Sequence, residues 1–400
     1  MAWTKYRLKD IAVSIQTGPF GSQLHQSDYS EVGTPVVMPK DMIDGTIEES
    51  NIARVSEAHV NRLSRHKVMP GDILYSRRGD VGRCAIITER EAGWLCGTGC
   101  LKVQLDRSKV VPTFVFYILK RKDSVGWIEN HAVGATMPNL NTEILKKLPI
   151  TLPPLLEQRR IASILSAYDN LIENNTRRIR LLEQMAENIY KEWFAYHKIK
   201  YNCKEVRLTD IVSITRGLSY SSEEIDCMDG NDLINLKNIQ AYGGFRLDGT
   251  KKYSGKYKIE QVVREGDLIM GVTDMTQDRR TVGSVALIPN IENLSVISAD
   301  LIKLESDINN IYLYAMFRFG GVSRYIAQFA NGANVLHLRP QALHSIKILL
   351  PSAEMIQQYV KQVKPTMKLI NKLNTQNNLL ACQRDLLLPR LMSGKLEVKD

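Results

Sequence analysis

The chain has 400 residues, 44% of them hydrophobic and 24% charged, which is enough length and apolar content for two or three domains with buried cores. No run of about 18 apolar residues occurs, and no apolar stretch follows the basic residues near the start, so neither a membrane span nor a signal peptide is predicted. We therefore expect a cytoplasmic protein. The net charge of +10 is compatible with a polyanionic partner such as nucleic acid, although a Lys-rich solvated surface would give the same value.

The six cysteines, at positions 84, 96, 100, 203, 227 and 382, have no paired CxxC spacing and no His-x-x-x-His nearby. Cys96 and Cys100 are the closest pair, and a zinc site there would need two further ligands, from Cys84 or His131. Buried reduced thiols explain the pattern more simply. We therefore predict neither disulfides nor a metal site.

Apolar residues between Glu157 and His197 recur in alternating steps of four and three, the heptad pattern of a helix that packs lengthwise against another helix. A second stretch near the end of the sequence repeats the phase of the first. We therefore predict two long helices that pack on each other. Their seams consist of Ile161, Leu165, Tyr168, Ile172, Asn175, Ile179, Leu182, Ala186, Ile189 and Trp193, and of Val363, Thr366, Ile370, Leu373, Asn377, Leu380, Arg384, Leu387 and Leu391.

Two features of these helices go beyond a plain seam. Asn175, Asn377 and Arg384 are polar at seam positions, where a buried polar side chain fixes register and a solvent-exposed one does not. Apolar residues also lie off the seam, where a partner protein could cover them, although a simple intramolecular strut is the alternative. These candidate partner-binding residues are Leu171, Leu181, Met185, Phe194, Leu369, Leu379, Leu386 and Met392. Pro365 predicts a kink in the second helix or a helix start close to it.

The globular part before the first helix returns, in the same order, before the second helix. The chain is therefore a tandem duplication, with predicted boundaries at 1–153 for the first domain, 154–200 for the first helix, 201–351 for the second domain and 352–400 for the second helix. The repeated pairs include Gly71-Asp72 and Gly266-Asp267, Val81-Gly82 and Val282-Gly283, Lys102 and Lys303, and Leu152-Pro153 and Leu350-Pro351.

Each globular half has mixed local signals. Short apolar runs bounded by glycine and charged residues predict strands at 72–75 and 84–87, and again at 267–270 and 285–288. Helical spacing follows at 112–122 and 312–319. The predicted fold class is therefore α+β, with two tandem mixed α/β domains, each followed by a long helix, and the two helices packed as an antiparallel coiled coil.

Four segments carry a resemblance to a known family. They are LPPLLEQRRI at 152–161, GDILYSRRGDVGRCAI at 71–86, VGATMPNLNTEILKKLPI at 133–150 and LLLPRLMSGKL at 386–396. Together with the duplication, they make the chain resemble the specificity subunit of a type I restriction-modification system over nearly its whole length.

That resemblance implies a function and a set of partners. Each globular domain would be a target recognition domain that reads one half of a bipartite sequence in double-stranded DNA, in a prokaryotic cytoplasm. The helices would bind two methyltransferase (modification) subunits, which use S-adenosylmethionine, and two restriction (motor and nuclease) subunits, which use ATP and Mg, can join them. No cofactor is expected in this chain itself.

Positions where the two copies carry different side chains are candidate DNA-binding residues. Two domains with the same backbone can read different bases only if their hydrogen-bond donors and acceptors differ. Ser76 to Gly79 in the first half correspond to Gly271 to Asp274 in the second, and the segment ending at Leu140 corresponds to the one ending at Leu338. Arg77 and Arg78, in a basic turn after a strand, are the leading candidates, with a solvated hairpin as the alternative. The full set is Lys40, Ser76, Arg77, Arg78, Thr136, Asn139, Lys237, Thr273, Arg279, Arg280 and His337.

The sequence contains no recognisable catalytic motif. There is no GxxxxGK[ST] phosphate loop, no Asn-Pro-Pro-aromatic methyltransferase motif, and Gly97-Thr98-Gly99 lacks a third glycine at the required spacing. We therefore expect a non-catalytic subunit. A two-domain scaffold that binds no DNA, or the recognition part of a self-sufficient restriction enzyme, is the alternative.

The length of the first helix predicts a distance between half-sites. Leu165 to Trp193 should rise about 42 Å at about 1.5 Å per residue, or about 12 base pairs at roughly 3.4 Å each. The two domains would then face the same side of the duplex. Flexible tethers are the alternative, but the heptads run almost to both predicted domain borders and leave little linker.

Overall fold

The computed structural model of the protein describes residues 3–134, 138–195, 203–225 and 229–396. The chain forms two compact units. The first unit comprises Met1–Leu171 together with Ala381–Asp400, and the second unit comprises Ile172–Leu380. Each unit therefore contains one globular domain and a segment of each long helix.

The globular domain of the first unit is built on a four-stranded antiparallel sheet in the order β2-β11-β8-β9, beside a second four-stranded sheet in the order β10-β4-β7-β3. Two-stranded pairs, β1 with β12 and β5 with β6, complete it. The strands are β1 (Thr4–Arg7), β2 (Ala12–Thr17), β3 (Tyr29–Ser30), β4 (Thr34–Val37), β5 (Met42–Ile43), β6 (Thr46–Ile47), β7 (Ala53–Val55), β8 (Ile73–Ser76), β9 (Cys84–Ile86), β10 (Leu95–Cys96), β11 (Cys100–Leu105) and β12 (Pro149–Leu152). The helices are α1 (Leu8–Ile11), α2 (Glu57–Arg62), α3 (Pro112–Leu119), α4 (Lys122–His131) and α5 (Thr142–Lys146).

The globular domain of the second unit repeats this plan, with sheets in the order β14-β22-β18-β20 and β16-β15-β21-β17 and with the pairs β13-β24 and β19-β23. Its strands are β13 (Lys204–Arg207), β14 (Ser213–Arg216), β15 (Asn231–Ile234), β16 (Lys251–Tyr253), β17 (Val262–Val263), β18 (Leu268–Gly271), β19 (Thr273–Asp274), β20 (Val285–Leu287), β21 (Ser295–Ile297), β22 (Leu301–Glu305), β23 (Leu336–His337) and β24 (Lys347–Leu350). Its short helices in the globular part are α7 (Asn310–Arg318) and α8 (Val322–Ala327). The predicted strands and helices are confirmed, and the central sheet has the equivalent strand order in both halves. The predicted domain boundaries stay predictions.

The two long helices are α6 (Leu155–Tyr190), which continues as a short π-helix at Lys191–Ala195, and α9 (Ala353–Met392). Gln158, buried at the start of α6, fixes that start: its Nε2 donates to the Pro153 carbonyl at 2.9 Å, and its Oε1 accepts from the Val111 amide at 3.0 Å. The helix α9 runs through Pro365, so the expected helix start near that proline is wrong. A kink at Pro365 stays a prediction.

The seam side chains point inward in both helices, while the off-seam residues Leu181 and Leu379 are exposed. In the first unit Arg384 binds Asp169 at 2.5 Å, and Leu391 lies in one core with Leu165. Residue numbers rise along one helix as they fall along the other, so the two segments run antiparallel there.

The helix segments of the second unit run antiparallel as well. Asn175 Nδ2 donates to Asn377 Oδ1 at 3.0 Å, and the rings of Tyr190 and Tyr359 are 5.9 Å apart. Of the three polar seam residues, Asn175 is buried, and it bonds its counterpart Asn377 across the seam. A buried asparagine that bonds across the seam fixes helix register, as the sequence predicts.

Each core joins a globular domain to both helix segments of its unit. In the first unit Phe114 and Val115 of α3 pack in one cluster with Leu165 of α6 and Met392 of α9. In the second unit Tyr312 and Phe317 of α7 pack with Tyr190 and Tyr359. Because unpacking a helix would expose this apolar surface, each domain is fixed on its helix segments. Among the described residues, no helix combines the length and apolar character that a membrane crossing needs.

Candidate nucleic-acid interface

The end of strand β8 and the segment before α5 meet in the first unit, and we call residues 76–79 with 139–140 the first edge. The Arg77 amide donates to the Gly99 carbonyl at 2.8 Å, and the Leu140 amide donates to the Arg77 carbonyl at 2.8 Å. Arg78 forms an antiparallel bridge with Asn139. Two sequence segments that differ between the copies are therefore neighbours.

The second unit contains an equivalent second edge, residues 271–274 with 337–338. The Val272 amide donates to the Asp300 carbonyl at 2.9 Å, the Leu338 amide donates to the Val272 carbonyl at 2.8 Å, and Thr273 pairs with His337. The register of the two edges is the same. Arg77 thus corresponds to Val272, Arg78 to Thr273, Asn139 to His337 and Leu140 to Leu338.

Two arginines of the first edge lie in different surroundings. Arg78 is exposed, whereas Arg77 is half-buried and lies over the ring of the exposed Phe20, 5.9 Å from its centroid. The Nε of Arg77 and the Oδ1 of Asn139 are buried without a hydrogen-bond partner among the described residues. Unpaired buried polar atoms are costly, and they are common where a ligand completes a site.

Two hydroxyls support the edges from within. Ser76 is buried and its Oγ donates to the Arg78 carbonyl at 3.0 Å, while the buried Thr273 donates from Oγ1 to Asp300 Oδ1 at 2.9 Å. Both are already satisfied by the protein. These bonds hold the backbone of the two edges, and a direct contact of Ser76 or Thr273 with DNA stays a prediction.

The carboxylate of Asp274, which is buried at the second edge, organises the loop that follows. It accepts from the amides of Thr276 at 2.8 Å, Thr281 at 2.6 Å and Val282 at 3.3 Å. Burial raises the pKa of Asp274, but the hydrogen bonds from Thr281 and Thr276 outweigh it and hold the pKa below its ordinary value. The carboxylate therefore stays charged and holds the two ends of the loop together through the amides of Thr276 and Thr281.

Two lysines occupy equivalent turns beside the edges. Lys40 is exposed in a 3-10 turn at Pro39–Asp41, and Lys237 is exposed in a 3-10 turn at Leu236–Asn238. In the second unit a cavity of about 390 Å³ has Lys237, Met275 and Arg280 in its lining. The structure thus brings Lys237 and Arg280 together.

The remaining candidates are placed as follows. Arg279 and Arg280 are exposed, and Arg279 has a left-handed backbone with φ of 53°. His337 is exposed on β23. Thr136 lies outside the described residues. The roles of these candidates in DNA binding stay predictions.

Six of the eight candidate partner-binding residues are exposed on the long helices, namely Leu171, Leu181, Met185, Leu369, Leu379 and Leu386. The other two are covered by the chain itself. Met392 is only 2% exposed in the core of the first unit, which corrects the expectation that a partner covers it. Phe194 is half-buried, with its ring centroid 5.4 Å from that of Tyr312 and 5.2 Å from that of Tyr359.

Sequence reasoning missed Phe20 and Asp274. Phe20 lies far from Arg77 in sequence, so no local pattern connects them. Asp274 could have been found, because two residues separate Arg78 from Val81 while eight separate Thr273 from Val282, and such an insertion needs an internal anchor. The buried Lys102, whose Nζ donates to the carbonyls of Arg65 and Lys67, was noted only as a repeated residue.

The fold and the two edges define a tandem-duplicated protein in which equivalent backbone hydrogen bonds hold the edge of each copy. Residues 2–184 match the family described as type I restriction modification DNA specificity domain. The first globular domain and most of α6 therefore match a type I restriction-modification DNA specificity domain, as the sequence resemblance predicts.

Curated relatives extend the match to almost the whole chain. The type I restriction enzyme MjaIX specificity subunit of Methanocaldococcus jannaschii is 24% identical, with 100% of this chain and 94% of that protein covered. The type I restriction enzyme HindI specificity subunit of Haemophilus influenzae is 21% identical, with 98% and 99% covered. The crystal structure of the type I restriction-modification system S subunit from M. genitalium has the same fold, with a TM-score of 0.61 at 17% identity over 98% of this chain and 96% of that one.

Proposed function

We propose that this chain reads a bipartite DNA target, one half-site per globular domain, for a type I restriction-modification complex. The observation that carries the proposal is the identical register of the two edges together with their different side chains. A common backbone holds Arg78 and Asn139 in one edge and Thr273 and His337 in the other. Two edges with the same backbone register but different side-chain donors and acceptors are suited to reading two half-sites of different sequence.

In this proposal the long helices set the distance between the half-sites. Support comes from the continuity of α6, which has 36 residues, and of α9, which has 40. It also comes from the fixed helix register that the Asn175–Asn377 bond provides. A continuous helix transmits length at about 1.5 Å per residue, unlike a flexible linker.

The partners would be two methyltransferase subunits on the exposed apolar positions of the helices, joined by two restriction subunits in a complete system. Support comes from Leu181 and Leu379, which are each about 60% exposed at apolar positions that the seam between the helices does not use. Catalysis would belong to these partners, with S-adenosylmethionine, ATP and Mg bound there and no cofactor bound by this chain.

Sequencing of methylated motifs in cells that carry the chain and its methyltransferase tests the proposal. We expect a split motif with a fixed spacer. Inserting one heptad in each helix keeps the seam in phase and adds about 10.5 Å per helix, so the spacer should lengthen by about three base pairs at roughly 3.4 Å each.

A matched control inserts a heptad in only one helix, which disrupts the pairing of the seams and should abolish methylation. An unchanged spacer in an active complex with both insertions would show that the helices do not measure the target. A gel shift on duplex DNA with and without methyltransferase separates the proposal from a scaffold that binds no DNA. A self-sufficient restriction enzyme would instead methylate or cleave DNA without a partner.

A further inference from the structure

The loop 275–280 is the largest difference between the two edges. Two residues connect Arg78 to Val81 in the first unit, whereas eight connect Thr273 to Val282 in the second. All residues of the loop are exposed, and Met275 has 70% of its surface accessible. A longer loop at this edge adds surface to the second domain that the first domain does not have.

Several hydrogen bonds hold this loop in one shape. Asp274 binds the amides at both of its ends, as described above. Gln277 Nε2 donates to the Ala333 carbonyl at 2.9 Å, and the Tyr242 amide donates to the Arg280 carbonyl at 2.8 Å. A loop fixed at its ends and in its middle loses little entropy when it binds a ligand.

Within the loop, Asp278 binds the guanidinium of Arg280 through Nη2. The same carboxylate raises the pKa of Arg280. An exposed ion pair contributes little to folding stability, so its effect is mainly to restrict the side chain of Arg280. One bond occupies one of five N–H donors, and the side chain remains 52% exposed, so further donors can face a ligand.

We propose that Arg280 reads a guanine in the half-site of the second domain and that Asp278 is the positioning residue that orients it. This rests on the proposed function. The guanidinium fork matches the paired O6 and N7 acceptors that guanine alone presents in the major groove. Lys237, which lines the same cavity, supplies a point charge for an adjacent phosphate.

The chain offers a matched control in the neighbouring Arg279. It is exposed, and within the described ranges it has no hydrogen bond or ion pair that would orient its side chain. The two adjacent arginines carry the same charge and differ in the carboxylate that restrains one of them. Substituting Arg279 therefore measures the effect of losing a positive charge. Substituting Arg280 measures the effect of losing the same charge together with an oriented guanidinium.

The test uses the full chain in complex with its methyltransferase. It measures binding of this complex to a DNA duplex that contains the motif found by methylation sequencing. Each guanine of the half-sites is replaced in turn by 7-deazaguanine, which lacks the N7 acceptor. At one guanine we expect the wild-type complex to lose about 10-fold in affinity. Arg280→Ala should bind about 10- to 100-fold more weakly and be insensitive to that replacement. Arg279→Ala should keep the sensitivity, and it should lower the salt dependence and the affinity equally on all sequences.

Two further variants keep the test decisive if Arg280→Ala does not fold. Arg280→Lys retains the charge but loses the fork, so it should retain the salt dependence and lose guanine discrimination. Asp278→Asn should reduce discrimination by about 2- to 10-fold without reducing the salt dependence, because only the orientation of Arg280 is lost.

If every guanine whose replacement weakens wild-type binding still does so in Arg280→Ala or Arg280→Lys, the assignment is overturned. The assignment is also overturned if Arg280→Ala loses the same affinity on all DNA sequences, because that result would indicate a phosphate contact. These outcomes differ from failure of the proposed function, in which the wild-type complex itself shows no sequence-specific binding.

Discussion

The first edge places Arg77 and Arg78 where the second edge places Val272 and Thr273, although equivalent backbone hydrogen bonds hold both. The first edge has a short turn, and the second has a longer loop anchored on Asp274. Duplication thus preserved the hydrogen bonds that position the chain and changed the side chains that it presents. The basic residues of the two units lie at different places on one frame.

The attachment of each domain to its helices shows the same divergence. In the first unit Asp169 of α6 accepts from Tyr117 Oη of the domain and from Arg384 of α9. In the second unit Glu183 of α6 binds Arg318 of the domain at 2.8 Å, and Arg318 also donates to Tyr314 Oη. Each unit uses a tyrosine, an arginine and an acid, but the arginine comes from different elements.

The largest expected effect concerns partner docking at equivalent positions of the two helices. Leu181→Glu or Leu379→Glu would bury an unpaired charge in a packed interface, which costs several kcal/mol. Each substitution should remove one methyltransferase copy, and the double variant should remove both. Native mass spectrometry of the purified complexes counts the copies.

Gln184→Glu is the matched control, since it adds the same charge at an exposed polar position of α6. Circular dichroism checks that all variants remain folded. If the methyltransferase still co-purifies with the double variant, the helices serve only as a strut.

The first edge provides the next largest effect. Arg77→Ala and Arg78→Ala should each weaken DNA binding by about 1–3 kcal/mol if the arginine reads a base, or lower the salt slope by about 1 if it contacts phosphate. Thr273→Ala, the equivalent change in the second edge, should alter affinity far less, because that hydroxyl binds Asp300. Titrations at several salt concentrations decide between these cases. Unchanged affinity and slope in both arginine variants would remove them from the interface.

Breaking the attachment in the second unit should cost about 2 kcal/mol. Glu183→Ala leaves the guanidinium of Arg318, only 16% exposed, without its acid, and the partial exposure of Glu183 keeps the loss below the roughly 3–5 kcal/mol of a fully buried pair. Hydrogen exchange should increase in the second unit alone. Asp169→Ala should act in the same way on the first unit.

Glu187→Ala controls for the change of charge on α6, since it removes only an exposed helical pair with Lys191 and should cost less than about 0.5 kcal/mol. Equal destabilisation by Glu183→Ala and Glu187→Ala would mean that the Arg318 pair does not hold the domain on its helix.

The smallest expected effect is the pH dependence of the second edge. Because the folded pKa of Asp274 is lowered, its stabilising contribution is present above the unfolded value of about 3.9 and disappears as pH falls through the folded pKa. Asp274→Asn should therefore destabilise the second unit at pH 7, by about 1 kcal/mol, and by less at pH 3. Asp80→Asn, at a carboxylate just after the first edge, should have little effect at pH 7, because its ion pair with Arg83 is exposed. Urea unfolding at the two pH values, with hydrogen exchange to locate the transition, measures the difference.

The sequence predicts the strands, the long helices and the alignment of the two edges because each is written in a local pattern or in the duplication. It does not predict contacts between distant residues, such as Arg77 with Phe20. The sequence also predicts that a partner protein covers Met392, which lies in the core of the first unit. A helical repeat shows which face of a helix is apolar but not whether a domain of the same chain covers that face. The burial of Ser76 and Thr273 is unpredictable for a related reason, since a hydroxyl at a strand end can face inward or outward.

The core of the first unit contains Leu391 and Met392, which are among the last residues of the described chain to be synthesised. All of the second unit, Ile172–Leu380, is translated before them. At roughly 5–20 residues per second, that interval is about 10 to 40 s. Until Leu391 and Met392 are made, Ile161 and Leu165 in the first part of α6 have no partner from the second helix to cover them. Synthesis of this protein therefore includes a defined period of exposed apolar surface, and slow translation of the second unit should increase its dependence on chaperones.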